Sequence, residues 1–324
     1  MFNLTQASLL IRNLYILVIV FFIYYFSPGG IDLFNYHNES EIGVLTFNLY
    51  QLKEFVSWFF IKLSILISDS IGVYNPALIL SFFSFLLLSF YRKRFGISSL
   101  SLYLCLINPI TILLIMNVLR QYVSVIFIIL AIFYINSGSK KKFLFFCILA
   151  FFSHNSSIII SIIIYFCYSY SRNKMIMLLF FGFLFVYLLK GPLFAAINFG
   201  SDYDYSGTSE IVKFLGYVFV LFFCLLFLCI KLCLKDRLDL RFYQFCTNLG
   251  ICFLLVSIGF YLISIPIWVI NRFLVSFIAI LVFSFHLKSI KTTNQLILDS
   301  LFLTLSGVML FFHAGAYDMV FGYL

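Results

Sequence analysis

Residues 117–164 read NVLRQYVSVIFIILAIFYINSGSKKKFLFFCILAFFSHNSSIIISIII, and this stretch decides the class of the chain. An Asn-Val-Leu-Arg-Gln opening leads into an unbroken apolar run up to Asn136. A short basic loop follows at Ser139-Lys140-Lys141-Lys142. A second apolar run then starts and is interrupted by Ser153-His154-Asn155-Ser156. A helix that crosses a bilayer needs about 20 apolar residues, so 119–136 reads as one span. Residues 143–170 are too long for one span, and the polar interruption divides them into two that turn near His154.

The rest of the chain has the same character. Of its 324 residues 64% are hydrophobic, 21% aromatic and 10% charged. A soluble domain averages about 45–50% apolar and about 25% charged residues. Soluble enzymes, disordered regulators and fibres are therefore excluded, and residues 1–324 read as a single integral membrane domain. Only five prolines interrupt the long Phe, Ile and Leu runs, which predicts helices and not the alternating strands of a barrel. The eight cysteines all fall inside apolar segments without a CxxC pair and read as small hydrophobes. The first apolar run is a full span without a small-residue cleavage site, so it is expected to remain as a helix.

Besides the central stretch, full-length spans are expected at 9–26, 74–91, 99–117, 174–190, 213–234, 242–262, 267–286 and 295–313. Residues 55–68 are shorter, and Ser57, Ser64 and Ser68 repeat along one side. That pattern predicts an interfacial or re-entrant helix. The net charge of +9 sits in short loops, where the positive-inside rule accounts for it without a nucleic-acid partner. Arg92-Lys93-Arg94, Lys140-Lys141-Lys142, Arg172 with Lys174, the 231–241 cluster and Lys288 with Lys291 share one side only if 55–68 does not cross and 143–170 crosses twice. This threading gives 15 basic and 3 acidic residues inside against 6 and 9 outside. The expected fold is an all-α polytopic bundle of about eleven spans, with the N-terminus inside and the C-terminus outside. Two outer segments, 27–54 and 191–212, are long enough to carry chemistry.

A few polar residues stand out against this background. Arg120 and Arg272 sit near the outer ends of their helices, where a charge is costly and marks a functional candidate. Pro266 offers a local break just before Arg272. Two guanidinium groups at one level suit a phosphate or diphosphate, because the planar fork donates two hydrogen bonds at once. His154 lies at the same level and can take a proton from a hydroxyl. In the first outer loop Asp32, behind Gly29-Gly30, and Glu54, at the head of the short helix, are candidate carboxylate bases. In the second, Asp202-Tyr203-Asp204-Tyr205 alternates carboxylates with aromatic faces, a pattern suited to a sugar. No GxxxxGK[ST], HExxH or Cys/His metal constellation is present, and the sequence calls for no metal or other cofactor. GxSxG is absent as well.

At Asn117–Ile164 the chain resembles the EpsG-like group of Wzy-type polysaccharide polymerases. Their shared pattern is an Arg-Gln or similar pair opening a span, a short basic loop, and an apolar run ending in His and small polar residues. Arg120, Gln121, His154 and Ser156 occupy those places. The first loop also fits, as Gly30-x-Asp32-x-x-x-Tyr36 with Glu54 before the short helix, and Arg272 corresponds to a late arginine on an outer helix end. The resemblance implies a GT-C-like membrane glycosyltransferase, an O-antigen polymerase of the bacterial inner membrane acting at the periplasmic face. Its substrates would be oligosaccharide repeat units on undecaprenyl diphosphate, and its partners membrane lipid and a separate chain-length regulator protein. Arg120, Arg272 and Gln121 would hold the donor diphosphate. His154, Asp32 or Glu54 would act as base, and Tyr36 with Asp202–Tyr205 would contact sugar. The competing readings are a flippase of the same lipid-linked unit, which would need a cationic cavity through the midplane, and an O-antigen ligase or acyltransferase.

Overall fold

The computed structural model describes residues 47–72, 76–97, 118–188, 240–263 and 267–289, with isolated positions within 102–115 and 215–230 and at 265. Every element among the described residues is an α-helix. In chain order these are α1 (Leu49–Lys53), α2 (Phe55–Ser70), α3 (Pro76–Phe95), α4 (Leu119–Asn136), α5 (Lys140–Ser153), α6 (Ser157–Ser169), α7 (Arg172–Leu188), α8 (Leu240–Leu262) and α9 (Ile267–Ser289). The expected spans at 9–26 and 295–313 and most of 99–117 and 213–234 lie outside the described residues, as do 27–46 and 191–212.

The bundle is organised around α4. From Leu119 to Ile135 every residue except Arg120 is buried, as expected of a helix that is apolar on all sides. It packs most extensively on α5, and also on α9, α2, α6 and α3, while α8 joins the bundle through α9, α6 and α7. Among the described residues two helices, Leu119–Asn136 and Arg241–Leu262, are long and apolar enough to cross a membrane. With only 10% charged residues in the chain, the molecule is a helical membrane protein.

Both predicted turns of the central stretch are present. After α4 the chain reverses at Gly138, whose φ of 81° is a left-handed conformation that glycine adopts at little cost. Gly138 N–H donates to Ile135 O at 2.9 Å and Ser139 N–H to Tyr134 O at 2.9 Å. These two bonds close the Schellman pattern that satisfies the last carbonyls of a helix. After α5 the backbone becomes extended at His154, with φ −159° and ψ 120°, and Asn155 and Ser156 form the turn into α6. The α5–α6 hairpin folds back on itself, bringing the Phe143 and Tyr165 rings to 6.2 Å.

The short helix α2 departs from the interfacial expectation. Ser57, Ser64 and Ser68 are buried, whereas Phe55, Phe59 and Leu66 are exposed. A helix lying at a water interface would turn its serines outward. Here they face the bundle, where Ser57 Oγ donates to Glu54 O at 2.9 Å and Ser64 Oγ to Phe60 O at 2.7 Å. Small side chains at that face permit close helix approach, and large apolar ones are left on the outside. The re-entrant alternative is compatible with this burial.

Charge is sorted along α4. At its C-terminal end, Arg94 from α3 and Lys142 from α5 lie 5.0 and 5.3 Å from the Tyr134 ring. Tyr91, Phe95 and Phe146 surround that ring. Arg120 is at the opposite end of the same helix, about 21 Å away at 1.5 Å per residue. Free cysteines 105, 147, 167, 224, 246 and 252 are buried, consistent with their reading as small hydrophobes. Cys167 Sγ lies 3.4 Å from Cys252 Sγ.

Candidate functional site

The arginine-bearing end of α4 meets the α5–α6 turn, the head of α2 and the first turns of α9. The sequence dictates each approach locally. Asn48 and Gln51 form a capping box that starts α1, with Asn48 Oδ1 accepting from Gln51 N–H at 2.8 Å. The chain then bends at Glu54, whose φ of −130° and ψ of 44° break α1 from α2. Glu54 caps α2 by position, yet its carboxylate makes no bond to its own helix. It points across the bundle instead.

That carboxylate is the centre of the site. Glu54 Oε2 accepts from Arg120 Nη1 at 2.6 Å. Oε1 accepts from the Asn155 backbone N–H at 3.0 Å and contacts His154 Nδ1 at 2.9 Å. The Asn155 N–H belongs to the turn that opens α6, and a carboxylate is favoured at a helix N-terminus. The Glu54 side chain is 7% exposed, that of Arg120 20% and that of His154 22%. The acid is thus enclosed, while the two basic side chains reach the surface of the site. Burial pushes the Glu54 carboxyl up, but the hydrogen bond and charge of His154, the Arg120 charge and the Asn155 N–H outweigh it and bring it down to about 2 from 4.5. At neutral pH the group is a carboxylate.

Trp58, one helical turn after Glu54, lies under Arg120, with the guanidinium carbon 5.9 Å from the ring. On the other side of His154, Nε2 is 3.2 Å from Gln121 Nε2. Gln121 Oε1 in turn accepts from Ser276 Oγ at 3.2 Å. Ser276 lies one turn after Arg272 on α9, and its hydroxyl is also within donating distance of the Arg272 carbonyl, at 3.0 Å. A continuous polar chain therefore runs from Arg120 through Glu54, His154, Gln121 and Ser276 to the Arg272 turn.

The structure brings together four of the predicted residues, Glu54, Arg120, Gln121 and His154, and places the Arg272 turn beside them. Asp32, Tyr36, Asp202, Tyr203, Asp204 and Tyr205 lie outside the described residues. Trp58, Asn155 and Ser276 were not distinguishable as site residues in the sequence. Trp58 is i+4 from Glu54 and Ser276 is i+4 from Arg272, so helical spacing from a named charge was the signal available for both. Among the described residues no group of three or more His, Cys, Asp or Glu side chains is arranged to hold a metal ion.

Chemically, the arrangement pairs an imidazole with an enclosed carboxylate that fixes its ring, next to a guanidinium. A hydrogen bond from Nδ1–H to a carboxylate leaves Nε2 as the basic nitrogen. Both Glu54 oxygens are occupied, so the geometry gives it an orienting position more readily than that of a base in its own right. Neither a curated protein nor a solved structure matches this chain. The EpsG family, associated with Wzy-type polymerases, matches it over residues 9–323, and with nearly its whole length covered the chain belongs to the EpsG family.

Proposed function

We propose that this protein is an O-antigen polymerase that joins oligosaccharide repeat units carried on undecaprenyl diphosphate at the periplasmic face of the bacterial inner membrane. The EpsG family itself supports a membrane polymerase or glycosyltransferase-like role. The observation that carries the finer reading is the Glu54 carboxylate, held between Arg120 and His154 at the end of α4 away from the Arg94 and Lys142 pair.

In this reading the growing chain is transferred from its lipid diphosphate to a sugar hydroxyl of a second lipid-linked unit. His154 takes the hydroxyl proton at Nε2, and Glu54 holds the imidazole in the required orientation. Arg120 and Arg272 stabilise the negative charge that builds up on the diphosphate as the anomeric C–O bond breaks. Undecaprenyl diphosphate is a good leaving group, so this route needs no cofactor. Asp32, the alternative base, and the sugar contacts assigned to Tyr36 and Asp202–Tyr205 complete the proposal, with membrane lipid and a chain-length regulator as partners.

Purified protein given lipid-linked repeat units should lengthen chains without any nucleotide sugar. Arg120→Ala, at wild-type expression, should cut chain elongation by about 100-fold or more, the scale of losing one charge-stabilising donor. Wild-type elongation by that variant overturns the diphosphate role. In cells, loss of a polymerase leaves core plus one repeat on a gel of surface polysaccharide. Loss of a ligase leaves none, and translocation of lipid-linked units without lengthening indicates a flippase.

A further inference from the structure

The Ser276 hydroxyl faces more acceptors than it has hydrogens to fill. Ser276 Oγ lies 3.2 Å from Gln121 Oε1 and 3.0 Å from the Arg272 carbonyl oxygen, and a hydroxyl has one hydrogen to donate. Across the amide, Gln121 Nε2 is 3.2 Å from His154 Nε2, while His154 Nδ1 faces Glu54 Oε1 at 2.9 Å. A lone pair on Nδ1 against that carboxylate would be repulsive, so Nδ1 carries a hydrogen in every acceptable assignment.

Two arrangements of hydrogens then follow, because the oxygen and nitrogen of a side-chain amide are interchangeable in shape. With neutral His154, Gln121 N–H donates to Nε2 and Ser276 O–H donates to Gln121 Oε1. With His154 protonated on both nitrogens, the amide is reversed. Its oxygen accepts Nε2–H, its NH2 donates to Ser276 Oγ, and the Ser276 hydrogen turns to the Arg272 carbonyl. Among the described residues, the charged groups around this chain are Glu54 from the head of α2, Arg120 from α4 and Arg272 from α9.

We propose that Gln121 is a proton-coupled switch whose amide reverses when His154 gains a proton at Nε2, passing the change through Ser276 to the turn of α9 that bears Arg272. The switch deepens the reading of His154 as base and rests on it for its role in catalysis. At rest, Gln121 covers the nitrogen that has to receive the acceptor proton, so an incoming sugar hydroxyl displaces the amide. The proton moves from the hydroxyl oxygen to Nε2, the O–H electron pair stays on oxygen to attack the anomeric carbon, and the anomeric C–O bond breaks with its electrons leaving on the lipid diphosphate. The reversed amide then binds the new Nε2–H and holds the imidazolium until the proton leaves. Gln121 is a positioning residue in this scheme, since it acts through His154.

The test is a pH titration of the full chain in detergent, followed by 15N NMR of the His154 ring and the Gln121 side-chain amide. The ring signals are assigned by their loss in His154→Gln and the amide by its loss in Gln121→Leu. The amide signal should move with the same midpoint as the ring, and that movement should vanish in His154→Gln. Gln121→Glu, which offers a fixed acceptor to Nε2–H, should raise the proton affinity of the ring about tenfold or more. The alkaline rise of the elongation rate should shift upward with it. An amide that stays still while the ring titrates overturns the switch, and this holds even if Gln121→Glu fails to fold. If the amide follows the ring but His154→Gln elongates chains normally, the switch stands and the catalytic reading of His154 falls.

Discussion

Glu54 holds two basic side chains at once, and its removal is therefore not equivalent to losing one surface ion pair. With the acid 7% exposed, Glu54→Ala leaves the Arg120 guanidinium and the His154 ring without their shared partner in an enclosed place. Breaking such a pair by deleting one member costs about 3–5 kcal/mol, which thermal unfolding in detergent would register as a clear loss. Glu54→Gln keeps the shape and an acceptor for Asn155 N–H, so it should lose less stability yet still slow elongation sharply. Wild-type elongation by Glu54→Gln would remove the orienting role. The sign of the pH effect follows from the depressed carboxyl. A group ordinarily at 4.5 and held at about 2 in the fold contributes its full stabilisation above pH 4.5 and loses it as pH falls toward 2. That contribution is about 3 kcal/mol. Unfolding temperature measured from pH 7 down to pH 3 should drop more steeply for wild type than for Glu54→Ala.

At the scale of the element, the α7–α8 contact depends on the missing side chain of Gly259. A Cβ placed there runs into the Phe183 ring, so the two helices approach as closely as they do because the position is empty. Gly259→Leu should cost about 1–3 kcal/mol through overpacking. Phe183→Ala in the same chain should recover part of it, a coupling that a double-mutant cycle of unfolding would detect. Helix placement was largely legible in the sequence wherever apolar length and a polar break coincide. The α4 span, the Gly138 loop and the division of 143–170 at His154 all follow from one-dimensional pattern. The burial of α2 did not, because three serines at helical spacing fit a water-facing side and a close-packed side equally well. Only the neighbours that cover them decide between the two.

At the scale of the molecule, Arg120 and His154 were legible because an apolar chain makes each polar residue an exception. Their shared dependence on Glu54 was not. The partners are separated by 66 and 100 residues, and no local spacing encodes an encounter between the head of α2, the start of α4 and the α5–α6 turn. Lys62 is hard to read from sequence for the opposite reason. It sits in a short helix whose pattern is set by its serines, and it is buried, with its ammonium 5.0 Å from the Phe47 ring. Ser276 carries only its i+4 spacing from Arg272, a signal that gains meaning once the Arg272 turn is placed beside Gln121.

The lengths of the two helices of the α5–α6 hairpin set an expectation for the bilayer around it. Its two helices have 14 and 13 residues and rise only about 21 and 20 Å, whereas the hydrocarbon core is about 30 Å thick. Such a hydrophobic mismatch is relieved by local thinning of the bilayer or by a recess above the turn. With the hairpin crossing as the sequence pattern predicts, either outcome would bring water and headgroups down to His154. Reconstituted in short-chain phosphatidylcholine, the protein should unfold at a higher temperature and elongate chains faster than in long-chain phosphatidylcholine. Equal stability and rate across bilayer thicknesses would mean that the hairpin does not deform the membrane around it.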